Sequence, residues 1–534
     1  MGAERQPDFV WSAEEAAWSS LNVGRATIDV HVAAGAGERE AVVCLETGER
    51  CTYAELKDSS DRLAGALVEL GLRPGDRLAL RYASRPQALI AALAAWKAGA
   101  AVVPIPAQAR TSEIEFYLQD TGARFVVVLG EGDFIGQLEP ALAASSVEDV
   151  IVGGAAAGPH HDLEDLLREG DPAAARGVET VADDLATVWH TGGTTGRPKA
   201  TYHTHRRWLA AGRRLAAGWG ISAQDRWLLG IPVGNVAGFL SRFIVPLQHG
   251  ATLIEPADLS GAGVLRAIEA EAVTRLLGIP VTLDSLAGLA AASPASIRSL
   301  KEVLAPFLVT GAGDLYDRWR ELGYPLGNPL GSSVMCQWFI GPRAGEQTPP
   351  FALGRPVPGY EIRIVDDAGA SAQPLPVGQV GRIAARGPTG LTYWNRHQIQ
   401  EAEVLDGWTI TDDLARVDED GFLWFLGRLN NLVVTAGYKV APGEVEQALL
   451  QHPAVREVAV VGLPDALREQ VVAAFVVPAL GEGDERLAEE LQAWCKERLA
   501  PYKYPRRVFF RASLPRDPVG KVQVRQLADS VGAG

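Results

Sequence analysis

Apolar strands and capped helices alternate along the first part of the chain, and this alternation constrains the fold more than any other feature. The stretch from Thr52 to Glu55 has the pattern of a capping box at the start of a helix, and a short strand is predicted from Arg77 to Leu80. A second helix from Pro86 to Ala98 leads into a strand from Ala101 to Pro104. Such alternation predicts an α/β fold, with helices layered on a largely parallel sheet.

The pattern changes after this α/β region. Short strands broken by turn residues between Glu361 and Arg386 predict a small β unit appended to the α/β layers. Residues 152–178 are rich in Gly, Ala, Pro and acidic residues with weak periodicity, and we interpret them as a surface connection. The neighbouring histidines His160 and His161 lie there, and a solvated pair is favoured over a metal site.

A compositional change follows Arg428. A helix is predicted from Pro442 to Gln451, strands over 455–461 and 471–477, and an amphipathic helix around Leu487, Leu491, Trp494 and Cys495. A chain of 534 residues is too long for one core. We therefore predict a large multi-layer α/β domain over residues 1–429 and a small mobile α+β domain over residues 430–534.

Composition narrows the class of protein. The formal net charge of −15 argues against a nucleic-acid partner, although a few local donors suffice for a nucleotide. The four cysteines form no C-x-x-C pair, so neither a disulfide framework nor a zinc site is predicted, and no other metal-ligating residue is assigned. The polar N-terminus lacks a signal peptide, and the most apolar stretch, Ala88 to Trp96, is too short to span a bilayer. We expect a cytoplasmic protein without a membrane partner.

The sharpest local signal is a glycine-rich loop after an apolar strand from Leu185 to Trp189. The loop reads Thr191-Gly192-Gly193-Thr194-Thr195-Gly196-Arg197-Pro198-Lys199. Its glycines let the backbone approach an anion closely, and the Thr hydroxyls and Lys199 add donors and a positive charge. The spacing is not that of the usual NTPase loop, because no Lys directly follows Gly196. A flexible Gly/Thr hairpin is the structural alternative.

This loop resembles the phosphate-binding signature of the superfamily of acyl-CoA synthetases, luciferases and nonribosomal-peptide adenylation domains. Further segments resemble motifs of that superfamily, in the same order along the chain. Thr411-Asp412-Asp413-Leu414 is similar to its T-G-D-L, residues 427–431 to its G-R-x-D-D, residues 437–446 to its G-Y-K-V-x-P-x-E-V-E, and residues 514–521 to its L-P-R-x-x-x-G-K. Because these motifs recur in order, the chain is identified as a member of this adenylate-forming superfamily.

The resemblance implies an enzyme that uses ATP, Mg²⁺ and coenzyme A. It would join a carboxylic acid to AMP with loss of pyrophosphate and pass the acyl group to a thiol. Lys521 would be catalytic, Asn430 would be the hinge, and Gly437 and Tyr438 would line the thiol tunnel. The loop residues Thr191, Gly192, Gly193, Thr194, Thr195, Gly196 and Lys199 would bind phosphate, and AMP would contact Gly311, Ala312, Gly331, Ser332, Ser333, Asp413 and Arg428.

One segment departs from the superfamily. Where its members carry Y-G-x-T-E, this chain reads Leu330-Gly331-Ser332-Ser333-Val334, so Val334 replaces an acid that helps to hold Mg²⁺. Either ATP phosphates and waters hold the ion, or the protein is a transacylase that moves acyl groups between CoA and a carrier protein. Retention of Lys199, Asp413, Arg428 and Lys521 favours adenylation. A non-catalytic nucleotide-binding or scaffold protein is a further, disfavoured alternative.

The acid is predicted to be aromatic. Among superfamily members, the segments Ile231 to Phe239 and Met335 to Ile340 resemble those of enzymes that activate benzoate and 2-aminobenzoate (anthranilate). The residues assigned to the acid pocket are Asn235, Gly238, Phe239 and Gly331. Asn235 either bonds to a ring substituent or caps the backbone. Coenzyme A is the expected acceptor. An aryl-acid:carrier-protein ligase that acts on a carrier in trans is kept as an alternative. For the oligomeric state, a homodimer is kept as an alternative to a monomer.

Overall fold

The structure is a computed structural model, and residue-level detail is given for most of the chain. It describes residues 7–82, 86–130, 134–154, 159–191, 198–230, 236–306, 313–332, 335, 337–366, 371–435, 438–465, 468–516 and 522–532. The helices in chain order are α1 Ala13–Ala17, α2 Val30–Ala33, α3 Tyr53–Glu69, α4 Pro86–Lys97, α5 Thr111–Thr121, α6 Phe134–Leu142, α7 Leu163–Glu169, α8 His205–Trp219, α9 Val236–Phe243, α10 Val245–Gln248, α11 Gly261–Glu271, α12 Pro280–Ala292, α13 Gly313–Glu321, α14 His397–Glu403, α15 Pro442–Leu450, α16 Glu485–Arg498 and α17 Val524–Gly532. A π-helix spans Arg25–Asp29, and 3-10 helices span Pro172–Ala175, Pro294–Ile297 and Leu429–Asn431.

The strands follow the same numbering. They are β1 Glu40–Cys44, β2 Arg50–Thr52, β3 Arg77–Tyr82, β4 Ala101–Ile105, β5 Phe125–Leu129, β6 Asp149–Gly153, β7 His161–Asp162, β8 Leu185–Thr191, β9 Lys199–Thr204, β10 Arg226–Gly230, β11 Thr252–Glu255, β12 Arg275–Gly278, β13 Glu302–Leu304, β14 Leu326–Gly327, β15 Leu330–Ser332, β16 Gln337–Gly341, β17 Arg355–Pro356, β18 Glu361–Val365, β19 Gly381–Arg386, β20 Val404–Leu405, β21 Trp408–Val417, β22 Leu423–Arg428, β23 Val433–Thr435, β24 Tyr438–Val440, β25 Val455–Asp465, β26 Glu469–Pro478 and β27 Arg507–Phe510.

Two sheets, each of seven strands, form the centre of the large domain. One has the order β7-β6-β5-β3-β4-β8-β9 and the other β14-β13-β12-β10-β11-β1-β2. Neighbouring strands pair in parallel, except that β9 is antiparallel to β8 and β2 is antiparallel to β1. The predicted α/β fold with a largely parallel sheet is confirmed.

Helix α3 shows why the local sequence predicts these elements. The Thr52 hydroxyl accepts from the Glu55 amide at 3.2 Å, and the Glu55 carboxylate accepts from the Thr52 amide at 2.8 Å. These reciprocal bonds satisfy amides that the first helical turn leaves without partners. Leu56, Leu63 and Leu67 are fully buried on one face, so the predicted capping box and apolar stripe are both confirmed.

The described part of residues 152–178 lies largely at the surface, as predicted for a connection, but it is not irregular. The segment contains β7, α7 and the 3-10 helix Pro172–Ala175. The Asp162 carboxylate accepts from the amides of the first turn of α7, and Leu163 is fully buried. A Cβ on Gly65 of α3 would lie 1.9 Å from the Asp171 carbonyl oxygen, so this segment packs closely on α3. Tertiary packing, rather than periodicity, orders these short elements.

The β unit and the small domain complete the fold. The predicted β unit is the antiparallel sheet β18-β19-β21-β20, with β22 paired to β21, while β15, β16 and β17 form a further antiparallel sheet. The small domain has the order β24-β23-β26-β25, with β27 beside β26, and α15, α16 and α17. Its predicted helices and strands are confirmed within a few residues of their ends.

The small domain contacts the large one through the start of α15. A Cβ on Gly443 would lie 2.7 Å from backbone atoms of Leu426 in β22, and Ala441 packs with Leu414 and Leu426 in one apolar cluster. The boundary predicted between residues 429 and 430 falls inside the 3-10 helix Leu429–Asn431 and stays a prediction. Among the described residues, no helix combines the length and apolar character that crossing a membrane requires.

Candidate active site

A carboxylate and a guanidinium meet where β21 pairs with β22. The strand register places Asp413 opposite Arg428, and Arg428 Nε donates to Asp413 Oδ1 at 3.1 Å. Only 6% of the Asp413 side chain is exposed, against 44% for Arg428. The Asp413 amide also donates to the Thr411 hydroxyl at 3.2 Å. The carboxylate is therefore held in one orientation, which suits an acceptor of hydrogen bonds from a diol. The contact of Asp413 and Arg428 with AMP stays a prediction.

The two ends of the phosphate loop are paired strands. Thr191, the last residue of β8, lies opposite Lys199, the first residue of β9. Gly192, Gly193, Thr194, Thr195 and Gly196 lie outside the described residues, so their predicted role in phosphate binding is untested. The pairing of β8 with β9 fixes the positions of Thr191 and Lys199 at the two ends of the loop.

Lys199 lies beside a carboxylate and an aromatic ring that the sequence did not suggest. Its Nζ is 3.6 Å from Glu403 Oε1 and 5.6 Å from the centre of the Tyr393 ring. The Tyr393 hydroxyl donates to Glu403 Oε2 at 2.8 Å. Burial raises the pKa of Glu403 above its usual range, and burial together with Glu403 raises the pKa of Tyr393. Glu403 closes α14 and directly precedes β20, which pairs with the strand that carries Asp413.

A second polar group lies behind the start of the loop. The His190 ring, directly before Thr191, bonds through Nε2 to Asp120 Oδ2 at 3.1 Å, and Arg396 Nη2 lies 2.6 Å from Asp120 Oδ1. Burial opposes ionisation of Asp120, but the bonds from His190 and Arg396 hold its pKa below the usual range. The His190 ring also packs on Tyr117 at 4.5 Å. These residues are far apart in sequence, and only the position of His190 before the loop hints at the contact.

The residues assigned to the acid pocket lie on α9 and β15. Gly238 and Phe239 are buried on α9, and Gly331 and Ser332 lie on β15, where Gly331 pairs with Trp338. Asn235 lies outside the described residues, as do Gly311, Ala312 and Ser333. The roles predicted for all of these residues stay predictions.

Aromatic rings fill the space behind α9. The Phe239 ring has no exposed area, and its centre lies 5.4 Å from Trp189, 5.8 Å from Trp208 and 6.1 Å from Trp96. On the same helix the Ser241 hydroxyl accepts from Trp338 Nε1 at 3.1 Å. Phe239 thus supports α9 from the core, a role that apolar character alone did not distinguish from pocket lining.

A buried ion pair also fixes α9. Arg242 is 2% exposed and contacts Glu255, the last residue of β11, which is 4% exposed. Burial raises the pKa of Glu255, and the guanidinium of Arg242 opposes that rise. Breaking such a pair leaves an uncompensated charge in the core, so the pair fixes the seating of the helix that carries the predicted pocket residues.

The predicted hinge residue follows β22 of the large domain, and Tyr438, assigned to the thiol tunnel, lies on a strand of the small domain. Asn430 is within the 3-10 helix Leu429–Asn431, directly after β22. Gly427 has a φ of 124°, a conformation that favours glycine. Tyr438 begins β24, is 54% exposed, and stacks on Tyr502 with ring centres 4.3 Å apart. Gly437 and the predicted catalytic residue Lys521 lie outside the described residues.

The described residues contain no group of three or more His, Cys, Asp or Glu side chains that is arranged to hold a metal ion. His161, from the histidine pair noted in the sequence, bonds instead to Asp149 Oδ1 at 2.9 Å.

Comparison with known proteins identifies the family. The profile of the AMP-binding enzyme family matches residues 30–394, and that of the AMP-binding enzyme C-terminal domain matches residues 444–521. A 2-succinylbenzoate–CoA ligase of Bacillus subtilis (strain 168) is 29% identical, covering 92% of this chain and 95% of the relative. A 3-[(3aS,4S,7aS)-7a-methyl-1,5-dioxo-octahydro-1H-inden-4-yl]propanoyl:CoA ligase of Mycobacterium tuberculosis (strain ATCC 25618 / H37Rv) is 32% identical, covering 90% of this chain and 94% of the relative.

A solved structure agrees with these matches. The anthranilate CoA ligase AuaEII, crystallised in complex with anthranoyl-AMP, superposes with a TM-score of 0.84 at 25% identity, covering 96% of this chain and 98% of that one. The predicted fold, superfamily and enzyme class are thereby confirmed. This chain belongs to the AMP-binding enzyme family.

Proposed function

We propose that this protein activates an aromatic carboxylic acid, with anthranilate or a related benzoate as the leading candidate, and forms its coenzyme A thioester. The broader activity, ligation of an organic acid to CoA through an acyl-adenylate, follows from the family. The likeness to an anthranilate CoA ligase over 96% of the chain is the main observation that supports an aromatic acid as the substrate. ATP, Mg²⁺ and coenzyme A are the cosubstrates and ion of this enzyme class.

In the first half-reaction a carboxylate oxygen attacks the α-phosphorus of ATP and pyrophosphate leaves. Negative charge grows on the phosphoryl oxygens, so the protein contributes mainly position and compensating charge. Lys199 and the loop it closes would hold the β- and γ-phosphates. Asp413, held by Arg428 at 3.1 Å, would accept hydrogen bonds from the ribose hydroxyls. Lys521 would stabilise the charge between carboxylate and α-phosphate.

The described residues are compatible with a magnesium ion that enters the site bound to the phosphates of ATP. They include no cluster of metal-binding side chains, and Val334 stands where the superfamily has an acid. Mg²⁺ often keeps several waters and binds chiefly through substrate phosphates. When bound in this way, it would neutralise charge on the phosphates, while Lys199 would position them.

The surroundings of α9 support a flat, compact acid. A ring-shaped acid needs apolar walls and a few placed polar groups, whereas a long aliphatic acid needs an open tunnel. The buried rings of Phe239, Trp189 and Trp208 occupy the space behind α9. Asn235, directly before α9 in sequence, would offer one amide to an ortho substituent.

The second half-reaction moves the acyl group to the thiol of CoA. The thiol sulfur attacks the carbonyl carbon of the adenylate, and AMP leaves. In this proposal the small domain rotates about Asn430, which removes Lys521 and brings Gly437 to the thiol. Tyr438, 54% exposed and stacked on Tyr502, would then border the thiol's path.

A panel of acids in ATP–pyrophosphate exchange, with and without CoA, tests the proposal. We expect exchange to be fastest with anthranilate, salicylate or benzoate, and CoA to convert the adenylate to a thioester. Cyclic aliphatic and long-chain fatty acids are the comparison substrates. A preference for either over every aryl acid would contradict the aromatic assignment while leaving the ligase assignment intact.

One sequence observation favours a second candidate. Val334 removes the usual acid near Mg²⁺, as expected for a transacylase that works from CoA to a carrier protein. In that case no acid would drive exchange, and acyl groups would pass from acyl-CoA to the carrier without ATP. The same panel therefore separates the two candidates. An acceptor carrier protein and a homodimer stay predictions.

A further inference from the structure

One segment of the β unit, residues 391–403, which we call the loop brace, contacts one end of the phosphate loop directly and the other end through Asp120. The Trp394 amide donates to the Ala200 carbonyl at 2.8 Å, next to Lys199. At the other end, Arg396 bonds to Asp120 at 2.6 Å, and Asp120 in turn bonds to His190. The brace ends at Glu403, whose Oε1 lies 3.6 Å from Lys199 Nζ. One segment therefore sets the position of both loop ends.

The contact between Lys199 and Glu403 places a carboxylate where phosphates are expected. The two side chains are 32% and 31% exposed, so solvent screens them only in part. The Tyr393 hydroxyl donates to the other oxygen of Glu403 at 2.8 Å, which fixes the carboxylate beside Lys199. Asp412 on β21 also raises the pKa of Glu403, but it is exposed and paired with Arg382 at 3.1 Å. A polyphosphate that approached Lys199 would meet the negative charge of Glu403 as well as the cation.

We propose that Glu403 is the resting partner of Lys199 and competes with the nucleotide's phosphates for it, so that Glu403 lowers the affinity for ATP. This rests on the proposed function, in which Lys199 binds the β- and γ-phosphates. Glu403 is a positioning residue: it keeps the lysine in place before the nucleotide arrives and weakens its hold on the leaving pyrophosphate. Partly exposed ion pairs contribute modestly to the free energy of binding. We therefore expect competition from Glu403 to lower the affinity for ATP about two- to fivefold.

Calorimetric titration of the full chain with ATP in the presence of Mg²⁺, without acid or CoA, measures this competition before any chemistry occurs. We expect Glu403→Gln to bind ATP about two- to fivefold more tightly than wild type. Adenosine, which has no phosphates, should bind both proteins equally. Glu401→Gln is the matched control, because Glu401 is an exposed carboxylate on the same helix.

A second pair of variants tests whether Glu403 affects ATP binding through Lys199. In Lys199→Met, where the cation is gone, adding Glu403→Gln should change ATP affinity by a smaller factor than it does in wild type. The difference between the two factors isolates the coupling between the side chains. Equal factors in both backgrounds would overturn the proposal, since Glu403 would then act on the nucleotide without competing for the lysine.

The pH dependence has a definite sign. The charged and titratable groups that face Glu403 are Lys199 from β9, Tyr393 from the brace and Asp412 from β21. Because burial raises the pKa of Glu403, its carboxylate is neutralised at a higher pH than an exposed glutamate. Wild-type ATP affinity should therefore approach that of Glu403→Gln as the pH falls. Protonation of ATP itself affects both proteins alike and cancels in the ratio.

Unchanged or weaker ATP binding by a folded Glu403→Gln protein overturns the proposal. Thermal unfolding establishes that the variant is folded. If it is not, Glu403→Ala tests the same loss of charge, with tighter binding expected and weaker or equal binding overturning the proposal. A wild-type chain that binds no ATP would overturn the proposed function together with this inference. A wild type that binds ATP while the variants bind no tighter would overturn this inference alone.

Discussion

The nucleotide side and the acid side of the candidate site are built from different interactions. On the nucleotide side, charged side chains from separate elements meet: Arg428 with Asp413, and Lys199 with Glu403. On the proposed acid side, α9 packs mainly on the buried aromatic rings around Phe239, and its ion pair, Arg242 with Glu255, is itself buried. In the proposed function, these directional polar contacts would fix the AMP part of the ligand, which is the same for every acid. Apolar packing is non-directional, so a few substitutions can reshape the acid side for another substrate.

This difference predicts where substitutions act. Losing a charged group on the nucleotide side should slow activation of every acid by a similar factor. Losing a polar group on the acid side should change the ratio between acids.

Loss of the proposed catalytic lysine should have the largest effect. We expect Lys521→Ala to lower adenylate formation by about 10²–10³-fold for every acid, the scale for removing one preorganised charge-stabilising donor. Thioester formation from supplied acyl-adenylate should change much less, because that step uses the rotated domain. Lys496→Ala, which removes an exposed lysine of the same domain, is the control. Equal losses in both half-reactions would remove Lys521 from its assigned role.

Loss of the Asp413 carboxylate, which is proposed to bind the ribose, should have the next largest effect. Asp413→Asn keeps the size of the side chain and removes its charge, which weakens hydrogen bonds worth about 1.5–3 kcal/mol. We expect kcat/KM for ATP to fall about ten- to a hundredfold, equally for all acids. The adjacent Asp412 is exposed and paired with Arg382, so Asp412→Asn should change little. A similar loss in both variants would mean that charge near the site, rather than this contact, is measured.

A change on the acid side should act selectively. If Asn235 bonds to an ortho substituent, Asn235→Ala strands that group at a cost of about 1–3 kcal/mol. We expect kcat/KM for anthranilate or salicylate to fall roughly ten- to a hundredfold, while benzoate loses little. Steady-state kinetics with the three acids measure the ratio. An unchanged ratio would place Asn235 outside the pocket and weaken the distinction between the two sides.

A hinge substitution should separate the half-reactions by a smaller factor. Asn430→Pro fixes φ near −65° at the position proposed to change conformation. We expect one half-reaction to slow by about tenfold while the other proceeds at nearly the wild-type rate. Rapid-quench measurements of adenylate formation and thioester formation report the two steps separately. If both ran normally, the rotation would have to occur about another residue.

Elements fixed by neighbouring residues could be predicted from the sequence. The capping box at Thr52 places the two partners of each bond three residues apart, so the pattern is visible without a fold. Asp413 and Arg428 are each assigned to AMP from their motifs, but their pairing across adjacent strands of one hairpin is not predicted. The regular elements within residues 152–178 are not predicted either, because α7 is short and is ordered by its contact with α3 rather than by its own periodicity.

Contacts between distant elements could not be predicted. His190 and Asp120 are 70 positions apart, and nothing near Asp120 marks it as a partner of the loop. The same is true of Lys199 and Glu403, which meet only because the loop brace pairs with β9. Phe239 has the apolar character of both a pocket wall and a core residue; its ring is buried among tryptophans, and its place in the acid pocket stays a prediction. Such contacts follow from the arrangement of sheets, which one sequence does not reveal.

The central claim is that the carboxylate of an aromatic acid attacks the α-phosphorus of ATP in this site. Anthranilate labelled with heavy oxygen in its carboxylate, incubated with the wild-type protein, ATP, Mg²⁺ and CoA, tests that step directly by mass spectrometry of the products. Attack by the carboxylate leaves one labelled oxygen in AMP and one in the thioester carbonyl, which is the result predicted here. Thioester formed without labelled AMP would contradict adenylation. No product from the free acid, together with ATP-independent acyl transfer from anthraniloyl-CoA to a carrier protein, would place the protein among the transacylases.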